Sequence, residues 1–213
     1  MRTRFVVLVL IALAAAVAWR AAPVGAQGDP VSAAIGSREP PLGEILRRLG
    51  YSIDVGTPEV DAQRFVKLGD GPATHEPLAA YGLERVCSGG WYSLVEDIPE
   101  KRSLWRIDEA HNKQDRPPLM EGSGTTFDPG GESFGLWVAT EGFREETIHT
   151  EDVRQRAIQR FGENRHKAHI YVAKRNGRAV PGVYLIGWEY STNDDNQDVV
   201  TLVSNVRPAR PGE

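Results

Sequence analysis

Short β-prone runs separated by turn residues dominate this sequence from Tyr51 onward, and they limit the folds that the chain can adopt. The strongest local signal is Asn176-Gly177, which lies between the β-prone runs 169–174 and 178–190. Both residues tolerate positive φ, so the pair is typical of a two-residue β-hairpin turn. The sequence therefore predicts an all-β protein, an antiparallel β-sandwich of jelly-roll-like type.

Other strand-length runs support the same fold class. Gly, Pro, Asp and Asn interrupt them, and these residues favour chain reversal over helix continuation. The predicted strands are 51–55, 64–68, 84–86, 91–95, 104–107, 134–139 and 198–206. After the last of these, prolines at 208 and 211 are expected to end regular pairing.

One or two short peripheral helices complete the predicted fold. Leu42, Ile45, Leu46 and Leu49 share one helical face ahead of Gly50, which suits the position just past a helix end. This amphipathic helix is expected to cover one end of the β core. The segment 150–162 begins with Thr150 as a candidate N-cap and ends at a glycine, so it predicts a surface helix or an ordered loop between strands.

The first 26 residues have the pattern of a secretory signal peptide. Two arginines precede the apolar run Phe5–Ala18, and small residues follow it. That run is shorter than the roughly 20 residues of a membrane-spanning helix. We therefore expect cleavage after Ala26, a flexible lead-in over 27–41 and a single β-sandwich domain over 42–208. The protein is then secreted, periplasmic or attached to the cell surface.

Charge and cysteine content restrict the partners. The formal charge of −4 becomes three units more negative when residues 1–26 are removed, because three arginines and no acidic residue are lost. An acidic chain without basic clusters is not expected to bind nucleic acid or anionic membrane, and we expect no membrane insertion after signal removal.

The single cysteine, Cys87, excludes an intramolecular disulfide and is interpreted as a buried apolar residue.

The segment 189–198 is the densest run of side-chain oxygens in the chain. Its candidate metal ligands are Glu189, Asp194, Asp195, Asn196 and Asp198. Ca²⁺ takes six to eight oxygen ligands, and alternate positions of this loop present carboxylates and an amide, although the loop lacks the glycine and distal glutamate of an EF-hand. Two alternatives stay open: a solvated acidic turn, and a general acid/base pair formed by Glu189 and Asp198.

Histidines and aromatic residues give weaker signals. His149, His166 and His169 do not predict a zinc site, because strand alternation is expected to place His166 and His169 on opposite faces and no cysteine lies nearby. Trp91 and Tyr92 follow two glycines and are the aromatic pair most expected to be exposed. They are candidate ligand-binding residues for a sugar, and the alternative is that they fill the core.

The carboxyl-terminal part of the chain contains four notable motifs. They are Phe-Gly-Leu-Trp at 134–137, His-Thr-Glu-Asp at 149–152, the run 184–189 ending in Glu189, and the acidic run 193–200. With them, roughly residues 127–206 resemble the bacterial DUF4114 family, a domain of unknown function found in exported and cell-surface proteins. The resemblance implies export, and it places the family's acidic positions on Glu189, Asp195 and Asp198. The chain departs from the family pattern at Asn196-Gln197 and at Tyr190.

Taken together, these features predict a secreted or surface-associated noncatalytic binding module. Its ligand is unknown, with a glycan or another cell-surface component as the leading class, and calcium bound by the acidic loop is the expected cofactor. The alternative is an extracellular hydrolase that acts on a glycan or similar polymer through two carboxylates.

Overall fold

The computed structural model describes residues 39–53, 58–82, 84–142, 147–155, 165–190 and 195–213. Helix α1 spans Leu42–Arg48, and two 3-10 turns span Glu109–His111 and Asp152–Arg154. The strands are β1 (Phe65–Lys67), β2 (Ala73–Ala80), β3 (Cys87–Val95), β4 (Ile98–Ile107), β5 (Gln114–Asp115), β6 (Thr126–Phe127), β7 (Gly135–Thr140), β8 (Thr147–His149), β9 (Ala168–Arg175), β10 (Arg178–Trp188), β11 (Val199–Ser204) and β12 (Val206–Pro208).

Within the described chain the strands form two main antiparallel sheets and one small strand pair. The larger sheet has the order β5-β2-β11-β10-β9, with β6 also paired to β2. The smaller sheet has the order β4-β3-β7-β8, and β1 pairs with β12. Phe65 of β1 also exchanges backbone hydrogen bonds with Phe134, just ahead of β7. The predicted all-β, sandwich-like antiparallel fold is confirmed.

The main core lies between the two sheets. Because side chains alternate across a strand, each sheet contributes one apolar face. The buried residues of this core include Trp105, Ile107, Leu136, Val138, Ile170, Ile186, Trp188 and Val203. His75 on β2 is fully buried in the same layer, with its ring 5.6 Å from that of Trp105. Burial lowers the pKa of His75 to about 3, so the ring is neutral.

Helix α1, which the apolar stripe predicted, covers the outer face of the larger sheet and not one end of the β core. Leu42, Ile45 and Leu46 pack in a second core with residues of β2, β9, β10 and β11. The helix ends at Arg48, Gly50 follows with a φ of +81°, and Tyr51 N–H donates to the Leu46 carbonyl at 2.8 Å. The same carbonyl also accepts the Leu49 amide at 3.1 Å, and the two bonds close the helix end. Each face of the larger sheet therefore carries a buried apolar cluster.

The predicted hairpin is also confirmed. β9 and β10 flank Asn176 and Gly177, whose φ angles are +51° and +72°. Two consecutive positive φ values match the twist of the strands on either side of a two-residue turn. The strand predicted over 198–206 is correct only in part: it breaks at Asn205, where φ is +60°, into β11 and β12. Consequently Arg207 and Pro208 continue to pair, with β1, against expectation.

Other local predictions need correction. Residues 84–86 are not a strand, since β3 begins at Cys87, and the central strand β2 was not predicted. In the segment 51–55, Ser52 makes an isolated bridge to Lys174, and residues 54 and 55 lie outside the described residues. Of the predicted helix or loop over 150–162, the described part is the 3-10 turn and its flanks, and residues 156–162 lie outside them.

The predicted signal peptide and almost all of the lead-in, residues 1–38, lie outside the described part of the chain. Among the residues that the structure describes, no helix combines the length and hydrophobicity needed to span a bilayer.

Candidate functional site

The acidic loop joins β10 to β11 and brings most of the predicted ligands together. Glu189 directly follows β10, and residues 195–198 precede β11. Asp194 lies outside the described residues. The loop folds back over β10 at Gly187, where a Cβ would lie 2.5 Å from the carbonyl oxygen of Asn196. Only a residue without a side chain permits this close approach.

Carboxylates of the loop bind backbone amides of the same loop. Glu189 Oε2 accepts hydrogen bonds from the amides of Asp195 and Asn196, at 3.0 and 3.1 Å. In return, Asp198 Oδ2 accepts the amide of Tyr190 at 2.5 Å. These bonds tie the first and last residues of the loop to one another, which is a structural use of charged acceptors.

The cluster is buried, which contradicts a simple solvated turn for its described part. The exposed fraction is 0% for Glu189, 5% for Asp195 and 6% for Asp198. Burial, together with the charge of Glu189, raises the pKa of Asp195 to about 7 and raises that of Asp198 as well. Burial therefore disfavours the charged forms of Asp195 and Asp198, and a proton or a bound cation would offset that cost.

Two further groups define the chemistry of the cluster. Gln197 is fully buried and donates from Nε2 to Asp195 Oδ2 at 3.0 Å, while its Oε1 is buried without a hydrogen-bond partner among the described residues. Lys167 is 2% exposed, and its carbonyl accepts the amide of Glu189. The site therefore offers carboxylate oxygens and the buried amide oxygen of Gln197, which are ligands that hard cations prefer. Lys167, a basic residue, is the backbone neighbour of Glu189 in this site.

The predicted exposure of Trp91 and Tyr92 is wrong. Their exposed fractions are 8% and 0%, since Trp91 belongs to the core between the sheets and Tyr92 packs against His149. The Trp91 ring stacks on Phe127 with centroids 5.3 Å apart, and the Tyr92 hydroxyl donates to Glu151 at 2.7 Å. Neither aromatic ring forms an exposed platform for a sugar in this structure.

Exposed apolar surface lies instead around the tip of the β3–β4 hairpin. Ile98 is 65% exposed and Val153 is 72% exposed, and both line a cavity of about 280 Å³ that also includes His149. Arg154 joins the two parts of this surface by donating to the backbone oxygen and the carboxylate of Asp97. We refer to residues 97–99, 149, 153 and 154 as the hairpin-tip surface.

The expectation that His166 and His169 point to opposite faces is wrong. His166 precedes β9, so strand alternation does not govern it, and the two rings lie 4.5 Å apart. His149 is elsewhere, packed edge-on against Tyr92, and burial lowers its pKa to about 4. Sequence reasoning also missed Glu59, which contacts both of the paired histidines.

Comparison with known proteins gives no match to a protein-family model, to a curated protein or to a solved structure.

Proposed function

We propose that this chain is an exported, noncatalytic binding module whose acidic loop holds a divalent cation, with Ca²⁺ as the leading candidate. The observation that carries the proposal is the burial of the carboxyl groups of Glu189, Asp195 and Asp198 in one loop. Export rests on the signal-peptide pattern and on the resemblance to the DUF4114 family. Asp194, which belongs to the same loop and lies outside the described residues, is part of the proposed ligand set.

Physical chemistry favours a cation here. Two carboxylates about 4 Å apart repel by roughly 1 kcal/mol in water and about 4 kcal/mol at the effective dielectric of a protein surface. Burial and, after it, the charge of Glu189 raise the pKa of both Asp195 and Asp198. A hard cation with oxygen ligands removes this repulsion, and the buried Oε1 of Gln197 supplies a neutral ligand of the type that Ca²⁺ accepts.

The ligand of the module is proposed to be an extracellular glycan or another cell-surface component. The hairpin-tip surface supports this, because it combines exposed Ile98 and Val153 with a cavity and with the charged groups of Asp97 and Arg154. Exposed apolar surface beside a cavity is typical of ligand contact. The acidic charge of the chain argues against nucleic acid as the partner.

The cation is tested by thermal unfolding of the purified protein in EDTA and in Ca²⁺. A ligand at 100 times its dissociation constant stabilises by about 2.7 kcal/mol, which for a protein of this size raises Tm by on the order of 5–10 °C. The rise should vanish in Asp198→Asn and persist in Asp70→Asn, which removes an exposed carboxylate far from the loop in sequence. Equal Tm values of the wild type in EDTA and in Ca²⁺ would refute the proposal that the loop binds Ca²⁺.

An extracellular hydrolase is the second candidate. The raised pKa values of Asp195 and Asp198 favour it, since a general acid must keep its proton near neutral pH. Burial of Glu189 opposes it, because a polymer must touch the catalytic groups. If a glycan screen finds turnover, Glu189→Gln should abolish it without lowering Tm, and unchanged turnover would remove Glu189 from the mechanism.

A further inference from the structure

Four polar side chains from separate parts of the chain converge beside β9. His169 belongs to β9, and His166 lies just before it. Glu59 is brought in by a segment that runs along β9, where the amide of Val60 donates to the carbonyl of Ile170 at 2.8 Å. Asp152 comes from the 3-10 turn after β8. The cluster therefore depends on the tertiary fold.

The geometry of the cluster is that of a ligand set. Glu59 Oε2 lies 2.8 Å from His166 Nε2, and Glu59 Oε1 lies 2.7 Å from His169 Nδ1. One ligand atom from each of these three residues lies within 4.8 Å of the others. Each atom of such a set needs only a small movement to reach the roughly 2.0–2.2 Å bond lengths that zinc forms with nitrogen and oxygen.

We propose that Glu59, His166 and His169 bind a divalent transition metal of the zinc class. Two imidazoles and a carboxylate suit Zn²⁺, Co²⁺ and Ni²⁺, whereas Ca²⁺ and Mg²⁺ prefer all-oxygen sites. The ligand chemistry of this site therefore differs from that of the acidic loop. The proposal of a transition-metal site does not depend on the proposed function.

Asp152 supplies the outer support that a metal-binding histidine ordinarily has. Its two carboxylate oxygens lie 3.1 and 3.2 Å from His166 Nδ1, the nitrogen on the far side of the ring from Glu59. Gln63 fixes Asp152 in turn, donating from Nε2 at 2.7 Å and accepting the Asp152 amide at 3.1 Å. A carboxylate on the second ring nitrogen sets the tautomer and orientation of a liganding imidazole.

A cavity leaves room for a further ligand. Its volume is about 190 Å³, and its lining includes Glu59, Gln63 and His166. Three protein ligands with one open position are characteristic of zinc sites that exchange water for an incoming group. The open position would accept water or an oxygen donor of a bound molecule.

The simpler reading is an ion-pair cluster in which His166 carries a proton between Glu59 and Asp152. Titration of the metal-free protein with Co²⁺ separates the two, because tetrahedral Co²⁺ gives visible absorption bands that a salt bridge does not. We expect one Co²⁺ per chain, displaced by Zn²⁺ and retained in excess Ca²⁺. Absence of these bands at millimolar Co²⁺ in folded protein would overturn the proposal.

Variants locate the metal. His166→Gln and His169→Gln should each abolish the Co²⁺ bands, whereas His111→Gln, at an exposed histidine of the other 3-10 turn, should leave them unchanged. Asp152→Asn should weaken affinity by about 10–100-fold while preserving the spectrum. If a histidine variant fails to fold by circular dichroism, Glu59→Gln replaces it. Bands that survive these changes, or that depend on Asp198 instead, would contradict the site.

Discussion

Asp195→Asn tests the electrostatics of the acidic loop directly. Burial and Glu189 raise the pKa of Asp195 from 3.8 to about 7. Because the folded state holds this proton more tightly than the unfolded state, its stabilising effect is complete below about pH 4 and is lost as pH rises through about 7. Three pKa units correspond to at most about 4 kcal/mol. Asparagine mimics the protonated acid at every pH, so the variant should not suffer this loss.

The assay is urea unfolding in EDTA at pH 4, 6 and 8, compared between the wild type and Asp195→Asn. The difference in unfolding free energy should be small at pH 4 and should favour the variant by up to about 4 kcal/mol at pH 8. Saturating Ca²⁺ should reverse the order at pH 8, because the wild type keeps the full charge of the proposed ligand set and the variant does not.

Comparing the two proteins at each pH cancels the histidines and other groups that titrate in the same range. Glu132→Gln is the matched control, since Glu132 is exposed and its loss should leave the pH profile unchanged. Parallel profiles for the wild type and Asp195→Asn in EDTA would refute the reasoning, because they would mean that Asp195 titrates alike in the folded and unfolded states.

Three other results are expected. Burial lowers the pKa of His149 to about 4, so stability should fall as pH drops from about 6.5 to 4, and His149→Gln should flatten that fall in acid unfolding curves. Gly135→Ala should cost about 1–3 kcal/mol, since its Cβ would lie 2.1 Å from the Tyr92 ring, whereas Gly131→Ala, with nothing within 4 Å, should unfold like the wild type. Burial raises the pKa of Cys87 to about 12, so iodoacetamide should label it only in urea, and rapid labelling of the native protein would contradict its burial.

Local chemistry explains which elements the sequence revealed. The hairpin turn needs positive φ at Asn176 and Gly177, and α1 needs its stripe and a closing glycine, so short-range signals suffice for both. Strand β2 has no such signal, because it contains Pro77, Glu76 and three alanines. Its pairing register shifts beside Pro77, because Leu78 has no partner on β11. The place of β2 between β11 and β5 is decided by tertiary pairing.

The candidate sites divide in the same way. Proximity in sequence revealed the acidic loop, but its burial depends on how the loop folds over Gly187, which no spacing shows. The sequence did not predict the cluster beside β9, because Glu59 lies 107 residues from His166. Strand alternation also gave a wrong expectation for His166, since this residue precedes β9. In the sequence, the acidic residues at 59 and 152 look like many other solvent-exposed acids, so they do not indicate a metal site.

The pairing of β1 with β12 determines how this fold responds to tension along the chain. Phe65, the first residue of β1, lies opposite Pro208, the last residue of β12. A pull on the chain before β1 and after β12 thus acts at one end of the ladder and opens its rungs in succession, as in unzipping, and does not shear them together. The rung between Phe65 and Pro208 opens first, and Phe65 also pairs with Phe134 at this position. The three rungs of this ladder therefore carry such a load one at a time.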